Sequence, residues 1–207
     1  MHRFLALMMT AVAVAIAVWL VVDARTAEMK SAAKWSANGE LMRPEGYREW
    51  IFVGSPVTPN DMNDGHAAFP EFHDVYIDRA SFDQFRRTGA YPEGAVIVKE
   101  LVSVGAKSAS SGRGYFPGKF NGIAAAVKDT TRFGGERSGW GYFDFGLEKK
   151  MAAVELPANC NACHKAGAER DMVFDQFYPV LKAARSEKTA MPGMPEKEKE
   201  KPRTGYY

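Results

Sequence analysis

Two cysteines in the whole chain, Cys160 and Cys163, are followed at once by His164, and this run, Cys160-Asn161-Ala162-Cys163-His164, constrains the chain more than any other feature. With no further cysteine there is no disulfide framework, no second Cys pair for a zinc site and no thioredoxin-like context for a redox dithiol. The spacing brings two thiols and an imidazole to one macrocycle. That is the pattern in which two thioethers hold a c-type haem and the adjoining histidine ligates its iron. One haem c with its iron is the cofactor expected here, held by Cys160 and Cys163 with His164 as the metal ligand.

The N-terminus agrees with that chemistry. Met1-His2-Arg3 precedes an apolar run from Phe4 to Val22, closed by Asp23, Ala24 and Arg25. Residues 1–24 read as a secretory signal, with an uncleaved membrane anchor as the alternative because the run nearly suffices to span a bilayer. Haem attachment to such a motif follows export, so a periplasmic location is expected. Among 207 residues there are 27 Lys and Arg against 25 Asp and Glu, a net charge of +2. That balance gives no field suited to nucleic acid, and nucleic acid is excluded as a partner.

Residues 25–39 read as a connector, residues 40–185 as one haem-binding domain, and the charged, proline-rich residues 186–207 as a disordered tail. Within the domain, Trp50 to Val53, Phe72 to Ile77, Val96 to Val104 and Trp140 to Phe145 are rich in β-branched or aromatic residues and bounded by Gly or Pro, which predicts antiparallel strands. Ser81 to Arg87, ending before Gly89, predicts a short helix, and Ile123 to Lys128 a second. Gly105 to Gly114 reads as a loop. From Asp171, the residues Met172, Phe174, Phe177, Tyr178 and Leu181 suggest a helix that Pro179 bends or restarts. The fold class expected is α+β: a predominantly antiparallel β-sheet with a few short helices packing on the haem.

Function turns on the other face of the iron, where a sixth ligand favours electron transfer and an open position lets a small molecule react. Besides His2 and His164 the chain has only His66 and His73, and the methionines after the motif are Met172, Met191 and Met194. None stands out as that ligand. In Val96 to Val102 a period of two puts Lys99 on the face of Ile97 and Leu101, opposite Val96, Val98 and Val102. A lysine on an apolar face needs an explanation, and on period alone the preferred one is an edge-strand residue that snorkels to water or blocks strand aggregation. Phe69, Phe72 and Tyr115 could wall a distal pocket, but aromatic residues in β-rich domains are more often plain core, and they are not counted as site residues.

Four segments carry a resemblance that bears on this. YREWIFVGSPVTPNDMNDG (Tyr47 to Gly65), VKELVSVG (Val98 to Gly105), GYFPGKFNG (Gly114 to Gly122) and CNACHKAGAERDMVFDQFYPVLKAA (Cys160 to Ala184) resemble the cytochrome P-460 family over about Gly39 to Arg185. The resemblance implies β-rich exported homodimers with one c-type haem, in which a lysine, here Lys99, is cross-linked to a haem meso carbon. It also implies oxidation of hydroxylamine to nitric oxide, nitrous oxide or nitrite, with electrons passing to a soluble cytochrome c.

The sequence departs from that family at two points. Ala124 stands where some members carry a distal glutamate, and His73 stands where some carry an arginine, which makes His73 the candidate substitute base. Two other readings remain. One is a nitric-oxide-binding protein similar to cytochrome c′-β. The other is a six-coordinate electron carrier in which His66 or His73 fills the second iron face.

Overall fold

The computed structural model describes residues 31–189. The signal or anchor read at residues 1–24, and most of the tail read at 186–207, lie outside the described residues. Among the described residues nine strands form, in chain order: β1 Leu41–Met42, β2 Ile51–Gly54, β3 Phe72–Ile77, β4 Val96–Val104, β5 Ser108–Ala109, β6 Gly112–Arg113, β7 Pro117–Lys128, β8 Trp140–Gly146 and β9 Met151–Ala152. Three α-helices accompany them among those residues: α1 Arg79–Thr88, α2 Cys160–Gly167 and α3 Pro179–Thr189. The fold is α+β, with an antiparallel five-stranded sheet in the order β2-β3-β4-β7-β8 at its centre.

The expected strands form within a residue or so of their predicted ends, because alternation of apolar residues over a pleat is a strong signal. α1 also forms as expected. Asp78 caps it, accepting from Ser81 N–H at 2.9 Å with one oxygen and from Val96 N–H at 3.0 Å with the other. Gly89, at φ 71°, closes it in the left-handed conformation that glycine adopts most readily.

The helix expected over Ile123 to Lys128 does not form: these residues are the second half of β7. Alanine favours helix intrinsically, but Ile123, Ala125 and Val127 are buried on one face and Ala124 and Ala126 lie on the other. Pairing with both β4 and β8 overrides the propensity. The helix suggested from Asp171 also begins later. Asp171 and Met172 both have positive φ, 44° and 60°, which no α-helix tolerates. After a single 3-10 turn at Asp175–Phe177, α3 starts at Pro179, a residue suited to the first helical position. The loop from Gly105 to Gly114 contains the small hairpin β5–β6.

Alternation divides the central sheet into two faces. Val96, Val98, Ile123, Ala125, Val127, Phe143 and Phe145 face one way and pack with Leu41, Tyr47 and Phe133. Trp35, in the stretch read as a connector, joins this layer, 5.7 Å from the ring of Phe143. Glu100 is buried among these residues, held by Tyr47 Oη at 2.6 Å and by Arg48 at 2.8 and 2.9 Å. The opposite face presents Val75, Ile77, Ile97 and Tyr142 to α1, α3 and the residues around α2. The chemistry-bearing side chains gather on this second face.

Candidate functional site

Helical spacing sets Cys160, Cys163 and His164 at i, i+3 and i+4, so all three side chains project from one side of α2. Both thiols are free; Cys160 packs against the core and Cys163 is exposed. Asn161, buried on the far side of the helix, donates to the carbonyls of Trp140 at 2.9 Å and Arg137 at 3.0 Å. These bonds fasten the start of α2 to the beginning of β8.

His164 is oriented from behind. Its Nδ1 lies 2.6 Å from the carbonyl of Met172, which also accepts from Tyr142 Oη at 3.0 Å. A carbonyl only accepts, so Nδ1 carries the hydrogen and Nε2 keeps its lone pair. The rings of Tyr142 and Phe174 flank the imidazole at 4.3 and 4.6 Å. Burial pushes its pKa down to about 4, so the ring is neutral at physiological pH, as a metal ligand must be. The two left-handed residues, Asp171 and Met172, aim that carbonyl. Asp171 is pinned by Lys128 Nζ at 2.5 Å and Trp140 Nε1 at 3.2 Å.

On the sheet, register places Val75, Lys99, Ala124 and Asp144 side by side across β3, β4, β7 and β8. His73, opposite Leu101, stands on the same face. Lys99 Nζ sits 3.9 Å above the ring of Phe69. Among the described residues it makes no hydrogen bond or ion pair. Burial lowers its pKa, opposed by the charges of Cys160, Glu71, Asp144 and Cys163, and Lys99 in turn depresses His164. The lysine, the two thiols and the histidine therefore share one electrostatic neighbourhood.

His73 is lowered as well, first by burial and then by the Lys99 ammonium, and is neutral near pH 7. Its Nε2 and the Oε2 of Glu71 are buried without a hydrogen-bond partner. His66 is exposed in the turn that follows the 3-10 helix Asn60–Met62. Of the aromatic candidates, Phe69 reaches the site, 5.8 Å from the ring of His73. Phe72 points to the other face, opposite Val102, and Tyr115 is tied at 3.0 Å to Asp61 in an exposed loop.

These residues fit a covalently held haem. Two free thiols and an imidazole with Nε2 available leave one side of a short helix, and an unpaired amine and two orphaned polar atoms stand on the neighbouring sheet face. The sequence profile of cytochrome P460 matches residues 44–175. The chain belongs to the cytochrome P460 family. No curated protein sequence matches it. Membership of this family makes the protein a c-type cytochrome that carries haem iron and belongs among redox proteins.

Sequence reasoning missed four contributors. Glu71 stands one residue before β3, outside the strand whose alternation would place it, so local sequence does not bring it to the site. The Met172 carbonyl and the clamp on Asp171 depend on a left-handed pair that contains no glycine, and local sequence carries no signal for it. Tyr142 reads as core until α2 is docked on β8.

Proposed function

We propose that this cytochrome P460 is an exported, mono-haem enzyme that oxidises hydroxylamine to nitric oxide, nitrous oxide or nitrite and passes electrons to a soluble cytochrome c. Cys160 and Cys163 would hold the macrocycle by thioethers, and His164 Nε2 would ligate the iron. The haem would supply a redox-active iron able to bind and oxidise a small ligand. The observation that carries the reading is Lys99, an unpaired amine of lowered pKa on the face shared with the cysteines. Its un-ionised fraction is a nucleophile, and a third tether would replace one amine N–H and one meso C–H by an N–C bond, the two electrons and two protons being taken up by a peroxide, which is reduced to water. The face of the Phe69 ring packs against that amine. His73, neutral with Nε2 unpaired, supports a role in orienting hydroxylamine through a hydrogen bond. The assembly is proposed to be a homodimer.

Expression with c-type haem maturation, followed by intact mass and haem-peptide mapping, tests this. A haem peptide that includes Lys99, with a red-shifted Soret band that Lys99→Arg abolishes, is the expected result. Haem held by Cys160 and Cys163 alone would move the assignment to capture of nitric oxide in the manner of cytochrome c′-β. Ala124 favours that second reading, since a methyl group accepts no proton.

A further inference from the structure

Oxidising hydroxylamine to nitric oxide removes three electrons and three protons from each NH2OH. The electrons leave for an oxidised cytochrome c, and the protons need an acceptor beside the substrate. Ala124 cannot serve. Asp144, in the same row, is 54% exposed and turned toward Lys149 at 3.7 Å. His73 is neutral, but burial and the Lys99 charge reduce its basicity.

Glu71 answers the need. One of its oxygens accepts from Asn121 Nδ2 at 3.2 Å, and the other is buried with no partner. A carboxylate oxygen left that way is unfavourable for folding, and such groups call for a reason other than stability. Its charge acts on both Lys99 and His73, so it stands with them. Asn121 is brought to Glu71 by a β-bulge. Leu101 pairs with Gly122 and Val102 with Phe120, which leaves Asn121 as the extra residue. Gly122 permits the bulge: its φ is +130°, and a Cβ there would overlap the Gly146 carbonyl. Glu71 and Asn121 also line a cavity of about 290 Å3 whose other walls include Asp61, Ser103 and Lys107.

We infer that Glu71 is the carboxylate that receives protons from hydroxylamine in this protein, and that it releases them through the cavity lined by Asn121, Asp61 and Lys107. The inference rests on the hydroxylamine-oxidising reading above. Each proton passes from a substrate N–H or O–H to Glu71 Oε2 and on to solvent in the cavity before the next is taken. Asn121 is a positioning residue, holding the carboxylate through its second oxygen.

The test compares haem-loaded Glu71→Gln and Glu71→Ala with the parent protein, all with matching haem spectra and unfolding midpoints. Glu71→Gln should lower kcat by about 100-fold or more, the lower end of what a general base contributes. Hydroxylamine binding, read by spectral titration, should stay within about twofold. Formate should restore turnover to Glu71→Ala by entering through the cavity, and should leave Glu71→Gln unchanged. Independently of activity, the C–O stretch of the ferrous carbon monoxide complex should move in Glu71→Gln and stay fixed in Asp83→Asn, a surface change on α1.

Undiminished kcat in Glu71→Gln, or a C–O stretch that does not move, overturns the assignment of Glu71. Failure of formate overturns the cavity route. A parent protein that binds hydroxylamine without oxidising it overturns the enzymatic reading, and the base role with it. A parent that turns over while Glu71→Gln keeps pace overturns Glu71 alone.

Discussion

Moving the carboxylate from residue 71 to residue 124 asks whether the haem-side face needs that group at one address or merely on that face. Ala124 lies directly opposite Lys99 on β4 and Asp144 on β8. Paired residues have Cβ atoms about 5 Å apart, so a glutamate at 124 projects beside Lys99. Two effects on stability oppose one another. A like charge opposite Asp144 costs about 0.2–1 kcal/mol, and an opposite charge facing Lys99 returns a similar amount if the amine is protonated. The net change is thus within about 1 kcal/mol, a shift of roughly 2–4 °C for a domain of this size.

The catalytic effect is larger. A lost general base removes about 10²- to 10⁴-fold, or roughly 3–6 kcal/mol at about 1.4 kcal/mol per decade. The double variant Glu71→Gln/Ala124→Glu should therefore regain at least about tenfold over Glu71→Gln alone. Stopped-flow hydroxylamine oxidation with excess oxidised cytochrome c, normalised to haem content, measures it. A double variant that folds, binds haem and stays as slow as Glu71→Gln would refute the placement of residue 124 on the substrate's side.

Gly122→Ala should lower the unfolding midpoint by about 5 °C or more, because strain at positive φ and overpacking against the Gly146 carbonyl each cost about 1–3 kcal/mol; a midpoint that holds would mean the bulge is more pliable than its geometry indicates. Burial pushes the Glu100 carboxyl up, but the hydrogen bonds from Arg48 and Tyr47 outweigh it and hold the pKa below the ordinary glutamate value of 4.5. A depressed folded-state pKa stabilises fully above 4.5 and is lost as pH falls through the folded value, so the stability gap between the parent and Glu100→Gln should narrow between pH 6 and pH 3. Urea unfolding across that range measures the gap, and one that is constant with pH would exclude the clamp as its source.

What the sequence disclosed and what it hid follow from the range of the interactions involved. The cysteine motif is legible because covalent chemistry fixes its spacing; a strand's period of two singles out Lys99 on an apolar face, but its role comes only from the family resemblance. Ile123 to Lys128 misled because alanine carries helix propensity without carrying the partner strands that decide the matter. Ala124 and Ala126 are small on the face where α2 and the lysine need room, while Ile123, Ala125 and Val127 fill the core. Asp171 and Met172 resist reading for a different reason. Asp171 is held by Lys128 and Trp140 from β7 and β8, and although aspartate visits the left-handed region more often than most residues, Met172 carries no such signal. Glu71 becomes intelligible only when the bulge at Asn121 is known, since register, not local sequence, brings the amide to it.

The two faces of the central sheet divide stability from chemistry. On the core face the single buried carboxylate, Glu100, has three donors and is fully answered. On the other face, a few ångströms away through the same strands, Lys99 has an aromatic ring in place of a counter-ion, and Glu71 and His73 each keep a buried atom unpaired. Each unanswered group costs on the order of 1–3 kcal/mol, a large share of a domain's net stability. The apolar layer from Val96 to Phe145 and the clamps on Asp171 and Glu100 offset that cost with interactions that touch no substrate. Adjacent residues of β4, Lys99 and Glu100, thus serve opposite ends: one is held down so that the sheet stays rigid, and the other is left free so that the rigid sheet can present it.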